Sequence, residues 1–150
     1  MSELYVVFRI EDGEYVLPAA DVLQMESFLG ATKVPGSPAY VAGIIQIRGR
    51  VVPVVDMRIR FGLPRAEPTM DSRVVVVESG ERTVGLLVDS AREVIDIPPE
   101  ALRAPPDFFQ DQGAGFIKSV AHVERGGGEK RFVMLVSFKK IIGEGNAHVS

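Results

Sequence analysis

Few side chains in this sequence could carry out covalent chemistry. There is no cysteine and there are two histidines, so thiol nucleophiles, thiolate metal sites and disulfide staples are excluded. His122, in Ser-Val-Ala-His-Val-Glu, alternates with Val120 and Glu124 and reads as an ordinary strand residue; His148 lies in the C-terminal tail. Neither belongs to a histidine–carboxylate group at metal-ligand spacing, and no serine has a plausible histidine relay. Asp56 and Asp89 end apolar runs, where catalytic carboxylates sometimes sit. Asp56 is better explained as a helix cap, and Asp89-Ser90-Ala91 as a turn. Gly126–Gly128 before Glu129-Lys130 lacks the spacing of a phosphate-binding loop. No catalytic residue, metal site or cofactor site is assigned, and an enzyme is not expected.

One residue is left over. In Ile44–Arg58, IIQIRGRVVPVVDMR, two apolar runs meet at Arg48-Gly49-Arg50. Gly49 suits a tight turn, but turn chemistry does not demand an arginine beside it.

The elements that would position these residues are mostly strands. Short runs of Val, Ile and Phe predict strands over 4–10, 15–18, 22–28, 44–47, 51–55, 74–78, 82–88, 92–97, 117–124 and 131–137, the spacing of an all-β barrel or sandwich. Glu11–Glu14, Ser79–Glu81 and Arg125–Glu129 read as hairpin turns. Pro53 points to an edge strand or a bulge, since proline cannot donate to a central ladder. Helices are few and short: one over Ser37–Gly43, one capped by Asp56 and stopped by Gly62, one turn over 98–102, and one capped by Ser137 and stopped by Gly143.

YVVFRIEDGEYVLPAADVLQM and RVVVVESGERTVGLLVDSAREVI share one order: apolar strand, acidic glycine turn, apolar strand, polar step, apolar stretch. The pattern suggests two similar small barrels with a shared apolar layer, divided roughly into 15–85 and the remainder of a single 1–150 domain. At 150 residues, 46% hydrophobic and 25% charged, the chain has the composition of a globular domain. A net charge of −3 with scattered basic residues gives no footprint for nucleic acid. The aromatics Tyr5, Phe8, Tyr15, Phe61, Phe132 and Phe138 sit in apolar runs rather than on a base-stacking surface. No apolar stretch approaches a membrane span, and the N-terminus turns acidic too early for a secretory leader, so a cytoplasmic protein is expected. A protein-interaction module is the class that remains.

Ser37–Pro64, SPAYVAGIIQIRGRVVPVVDMRIRFGLP, resembles the CheW family. The family's aliphatic-Gly step, Asn-Leu-Arg-Gly turn and aliphatic-Pro-aliphatic-aliphatic-Asp-Leu-Arg segment appear as Val41-Ala42-Gly43, Gln46-Ile47-Arg48-Gly49 and Val52–Arg58. The Phe8-to-Met25 hairpin, Val84–Asp89, Ala104-Pro105-Pro106 and Phe132–Val136 also follow in family order. The resemblance implies a mainly β fold of two intertwined five-stranded, SH3-like barrels sharing a hydrophobic core, with a few short helices. It also implies a non-catalytic, cofactor-free adaptor, cytoplasmic and recruited to receptor arrays. Such an adaptor couples a chemoreceptor's cytoplasmic tip to the regulatory domain of a CheA-type histidine kinase.

Carried onto this sequence, the receptor groove would comprise Val22, Gln24, Met25, Arg48, Val74 and Val94. A kinase surface would lie around Ala19 and Gly43, whose small size would permit either close approach of a partner or tight internal packing. Gln24 stands where many relatives carry an acid able to pair with the motif arginine; a neutral amide accepts a weaker bond. Glu26 shares its face only if the strand is regular. Two other readings stay open: a CheW-like scaffold of gliding, pilus or developmental signalling, and a small-ligand-binding barrel using Asp56 or Asp89.

Overall fold

The structure, a computed structural model, describes residues 3–106, 114–124, 128 and 130–143. Most of the predicted Arg125–Glu129 turn, the tail from 144 and His148 lie outside them. The fold is mainly β, as predicted, and all ten predicted strands are present. They are β1 (Glu3–Ile10), β2 (Gly13–Pro18), β3 (Val22–Ser27), β4 (Val41–Ile47), β5 (Arg50–Asp56), β6 (Arg73–Ser79), β7 (Arg82–Val88), β8 (Ser90–Ile97), β9 (Ile117–Glu124) and β10 (Lys130–Val136). They form two five-stranded sheets, ordered β8-β1-β2-β10-β9 and β3-β6-β7-β5-β4.

The two sheets share one plan. Each is built on a hairpin, β1–β2 or β6–β7, and the chain leaving that hairpin crosses to the other sheet. Thus β3 pairs with β6, and β8 pairs with β1. Each hairpin's second strand pairs in parallel with the strand that ends in a short helix, β2 with β10 and β7 with β5. The faint sequence repeat is therefore real at the level of topology, and the exchanged third strands interlock the two halves.

Strand alternation divides the interior into three layers. Tyr5, Val7, Val16, Val133 and Leu135 fill the first sheet, and Val54, Val74 and Val76 the second. Between the sheets lies the largest layer, where Phe8, Ile10 and Leu17 meet Val55, Val75, Val77, Val84 and Leu86. β6 is buried on both faces, Val74 and Val76 inward and Val75 and Val77 toward the other sheet, so its VVVV run shows no alternation. Each such fully buried aliphatic contributes about 1.5–3 kcal/mol.

Both sheets curl. Arg131 on β10 reaches Glu93 on β8 at 2.7 Å, although β1 and β2 lie between them; in a flat sheet those strands would be about 14 Å apart. In the second sheet the edges β3 and β4 converge, since Gln24 and Arg48 line one cavity.

The helices are short. Asp56 accepts from the N–H groups of Arg58 and Ile59 at 3.0 and 3.3 Å and caps α1 (Met57–Arg60). Ser137 accepts from Lys140 N–H at 3.3 Å and caps α2 (Phe138–Ile141). A 3-10 turn spans Pro99–Ala101. The helix predicted over Ser37–Gly43 is instead a single turn closed by Val41 N–H to Pro38 C=O at 2.9 Å, because β4 already begins at Val41. Pro53 does not mark an edge: β5 lies between β4 and β7. Its ladder to β7 starts one residue later, at Val54, so the missing N–H costs no bond there, and the bulge falls on β4 between Val41 and Gly43.

Candidate partner-binding surface

The residues predicted for a receptor groove divide between three places. Val22, Met25 and Val94 face the inter-sheet side. Met25 is cross-strand to Val75, and Val22 to Val77, both in the shared core. Val94 is opposite Val6, which is opposite Leu17 of that core. Cross-strand partners share a face, so all three point toward the inter-sheet side. Val22 packs against the shared core, whereas Met25 and Val94 remain 39% and 52% exposed. Leu4, opposite Asp96 on the same face as Val6, is exposed as well, and β8 lies against β6. The shared core thus ends in exposed aliphatics contributed by both sheets.

Gln24 and Arg48 lie elsewhere, at the end of the second sheet. They line a cavity of about 200 Å³ with Leu23, Ile47, Arg50, Val52, Val76 and Thr83. β3 is regular from Gln24 onward, with a bulge between Val22 and Gln24. Glu26 therefore shares a face with Gln24 and accepts a hydrogen bond from its amide. That amide does not accept from Arg48, as the sequence had allowed.

Val74 belongs to neither group. It is fully buried inside the second sheet, with its Cγ1 2.5 Å from where a Cβ on Gly85 would stand, and it offers no surface to a partner. Its assignment to the groove is corrected: the inward register of β6 takes it away from the inter-sheet side.

Arg48 and Gly49 form the two-residue loop between the paired Ile47 and Arg50, with φ of 51° and 79°. Positive φ at both positions is the type I′ pattern, for which Asn-Gly is preferred. An arginine in the left-handed region is uncommon. Arg48 is exposed and has no hydrogen-bond or ion-pair partner among the described residues.

The two small residues proposed for a kinase surface are not brought together. Ala19 opens the 3-10 turn Ala19–Asp21, where the chain crosses between sheets. Gly43 is buried in β4 at φ 144°, and a Cβ there would stand 2.3 Å from the Thr32 carbonyl oxygen. Thr32 bridges to Ile44 through two hydrogen bonds of 2.9 and 2.8 Å. The close approach that Gly43 permits is used by the chain itself.

Both aspartates weighed as chemical groups are engaged. Asp56 is the α1 cap. Asp89 accepts from Arg58 Nε and Nη2 at 3.0 and 2.8 Å and from Glu11 N–H at 2.7 Å. Burial pushes its carboxyl up, but the bonds from Arg58 and from the Glu11 N–H, with the Arg58 charge, outweigh that and hold it below the ordinary aspartate value. Arg60 completes the tie, donating to the α2 carbonyls of Ile141 and Lys140 at 2.7 and 3.0 Å with its guanidinium over Tyr40 and Phe116. The surroundings of α1 therefore hold the two sheets in register.

The CheW-like domain model matches residues 4–145. The chain belongs to the CheW-like family. A chemotaxis protein CheW of Rhizobium meliloti is 34% identical over 119 residues, 79% of this chain and 77% of that protein. A probable chemotaxis protein CheW of Rhizobium etli is 29% identical over 139 residues, 93% of this chain and 86% of its own length. The crystal structure of the scaffolding protein TtCheW from Thermoanaerobacter tengcongensis superposes with a TM-score of 0.83 at 28% identity, covering 95% and 94% of the two chains. The CheW-like fold thus extends over nearly all of this chain, and Arg48, Leu23, Arg50 and Thr83 sit on an exposed end of it. Of these, only Arg48 was legible beforehand; no spacing rule ties Leu23 and Thr83 to Arg50 before the strands are paired.

Proposed function

We propose that this CheW-like chain is a non-catalytic adaptor of chemotaxis-type signalling, coupling a chemoreceptor's cytoplasmic tip to the regulatory domain of a CheA-type histidine kinase. The observation that carries the reading is the set of exposed aliphatics on the inter-sheet faces. Met25 and Val94 stay exposed on faces that elsewhere form the shared core, as an apolar groove for a helical hairpin requires. The receptor tip packs there against Val22, Met25 and Val94 and extends over the end of the second sheet, where Gln24 and Arg48 lie. The kinase uses the exposed surface near Ala19, and Gly43 supports β4 from within. The relatives named as chemotaxis and scaffolding proteins support the same role.

The test is direct binding of the full chain to a receptor signalling-tip fragment and, separately, to a kinase regulatory domain, by calorimetry. Binding to both is expected; binding to neither would remove the reading.

A further inference from the structure

The shared plan of the two sheets places one pair of arginines in matching positions. In the first sheet the parallel pairing is Leu135 with Val16, and in the second Val54 with Gly85. Arg131 lies four residues before Leu135, and Arg50 four before Val54. By the same register Glu14 corresponds to Thr83, and Glu93, beside Val7, corresponds to Gln24, beside Val76.

The chemistry at these matched positions differs. Arg131 makes a two-pronged pair with Glu93 at 2.7 and 2.8 Å and a third bond to Glu14 at 2.9 Å. Its side chain is 9% exposed, enclosed by that network. Arg50 has two neutral groups in place of the two carboxylates. It donates to the Thr83 hydroxyl at 3.0 Å, Gln24 is turned to Glu26, and Arg50 has no ion pair among the described residues. Where the first sheet holds its arginine between two carboxylates, the second holds its arginine at a cavity of about 200 Å³, which has aliphatic walls of Leu23, Ile47, Val52 and Val76 and carries Arg48 and Arg50.

We propose that this end of the second sheet receives a carboxylate side chain from the receptor tip, which pairs with Arg50 and Arg48 as Glu93 and Glu14 pair with Arg131. The proposal rests on the adaptor reading and adds to it the chemistry of the partner: an aspartate or glutamate flanked by aliphatic residues. Aliphatic walls beside the pair lower the local polarity, which strengthens a charge-assisted bond. Two guanidiniums of like charge at one cavity are themselves relieved by an incoming anion.

The test fills the site from within. Gln24→Glu with Thr83→Glu rebuilds the first sheet's ion-pair network around Arg50. Calorimetry against a receptor signalling-tip fragment then compares the wild-type chain, this double variant, Arg50→Gln and Arg48→Gln. The fragment is also used with each of its acids changed in turn to the amide. The double variant is expected to melt higher than wild type and to bind the fragment on the order of tenfold more weakly. Arg50→Gln should lose a similar factor, and one acid of the fragment should couple to it, its removal costing affinity in the wild type and nothing further in Arg50→Gln. Wild-type binding that is unchanged in the double variant and in Arg50→Gln would overturn the proposal and leave the adaptor reading standing. Loss of affinity with no coupled acid would overturn it too. A wild-type chain that binds no receptor fragment removes both.

Discussion

Arg58 and Asp89 form a two-pronged pair, at 3.0 and 2.8 Å, at the point where the chain passes from the second sheet back to the first. Arg58 follows β5 and Asp89 follows β7, both in the second sheet, while the Glu11 N–H that completes the cluster at 2.7 Å comes from the first sheet's hairpin turn. Through the Glu11 N–H, Asp89 therefore ties the second sheet to the first sheet's hairpin turn, with Arg58 holding its carboxylate in place.

This cluster gives the protein a defined acid sensitivity. Asp89 is held below its ordinary value in the folded chain, so its contribution is fully present above the unfolded aspartate pKa, about 4. It is lost as pH falls through the lower folded value. Asp89→Asn, which keeps the shape and removes the charge, is expected to cost about 1–2 kcal/mol at neutral pH and to flatten the acid limb of a melting-temperature profile. An unchanged acid limb would show that other carboxylates govern it.

Gly85 and Val74 are a packing pair. A Cβ at Gly85 would stand 2.5 Å from Val74 Cγ1, and both residues are buried in the second sheet. Gly85→Ala is expected to destabilise by about 1–3 kcal/mol. Val74→Ala leaves a cavity of its own, so the double variant should be less destabilised than the sum of the singles. Additive losses in chemical denaturation would mean that the contact relaxes by other routes.

How far the sequence could be read follows from where each residue's neighbours come from. The ten strands were legible because every apolar run is bounded by glycine, proline or charged turns, and the caps Asp56 and Ser137 needed only local hydrogen bonds. Val74 was misplaced because a strand buried on both faces carries no alternation to say which side chains look inward. Gly43 invited a partner reading because its neighbour, Thr32, approaches through an isolated bridge that no periodicity announces. The contrast between Arg131 and Arg50 was out of reach for a stricter reason. It exists only once parallel pairings align two segments more than eighty residues apart in sequence.

On the inter-sheet faces themselves, Met25→Lys and Val94→Lys place charges on exposed aliphatics of opposite sheets. Neither removes core contacts, so melting temperatures should move by no more than a degree or two. Receptor-fragment affinity should fall on the order of tenfold or more in each, as for anchors at an interface centre. Full affinity in both variants would place the receptor elsewhere on the molecule.

Arg48 supplies the sharpest separation of stability from function. Its φ of 51° sits in a region where asparagine is tolerated better than other non-glycine residues, and its side chain makes no bond among the described residues that a substitution could break. Arg48→Asn restores the Asn-Gly pair that such turns prefer and is expected to stabilise by about 0.5–1 kcal/mol, raising the melting temperature by about 1–4 °C in a chain of this size. The same change removes a guanidinium from that end of the second sheet, so receptor-fragment binding should weaken and lose part of its salt dependence. A variant that is more stable and binds less well would show that the turn keeps a strained arginine for its partner. A variant that melts lower would show instead that Arg48 supports the fold.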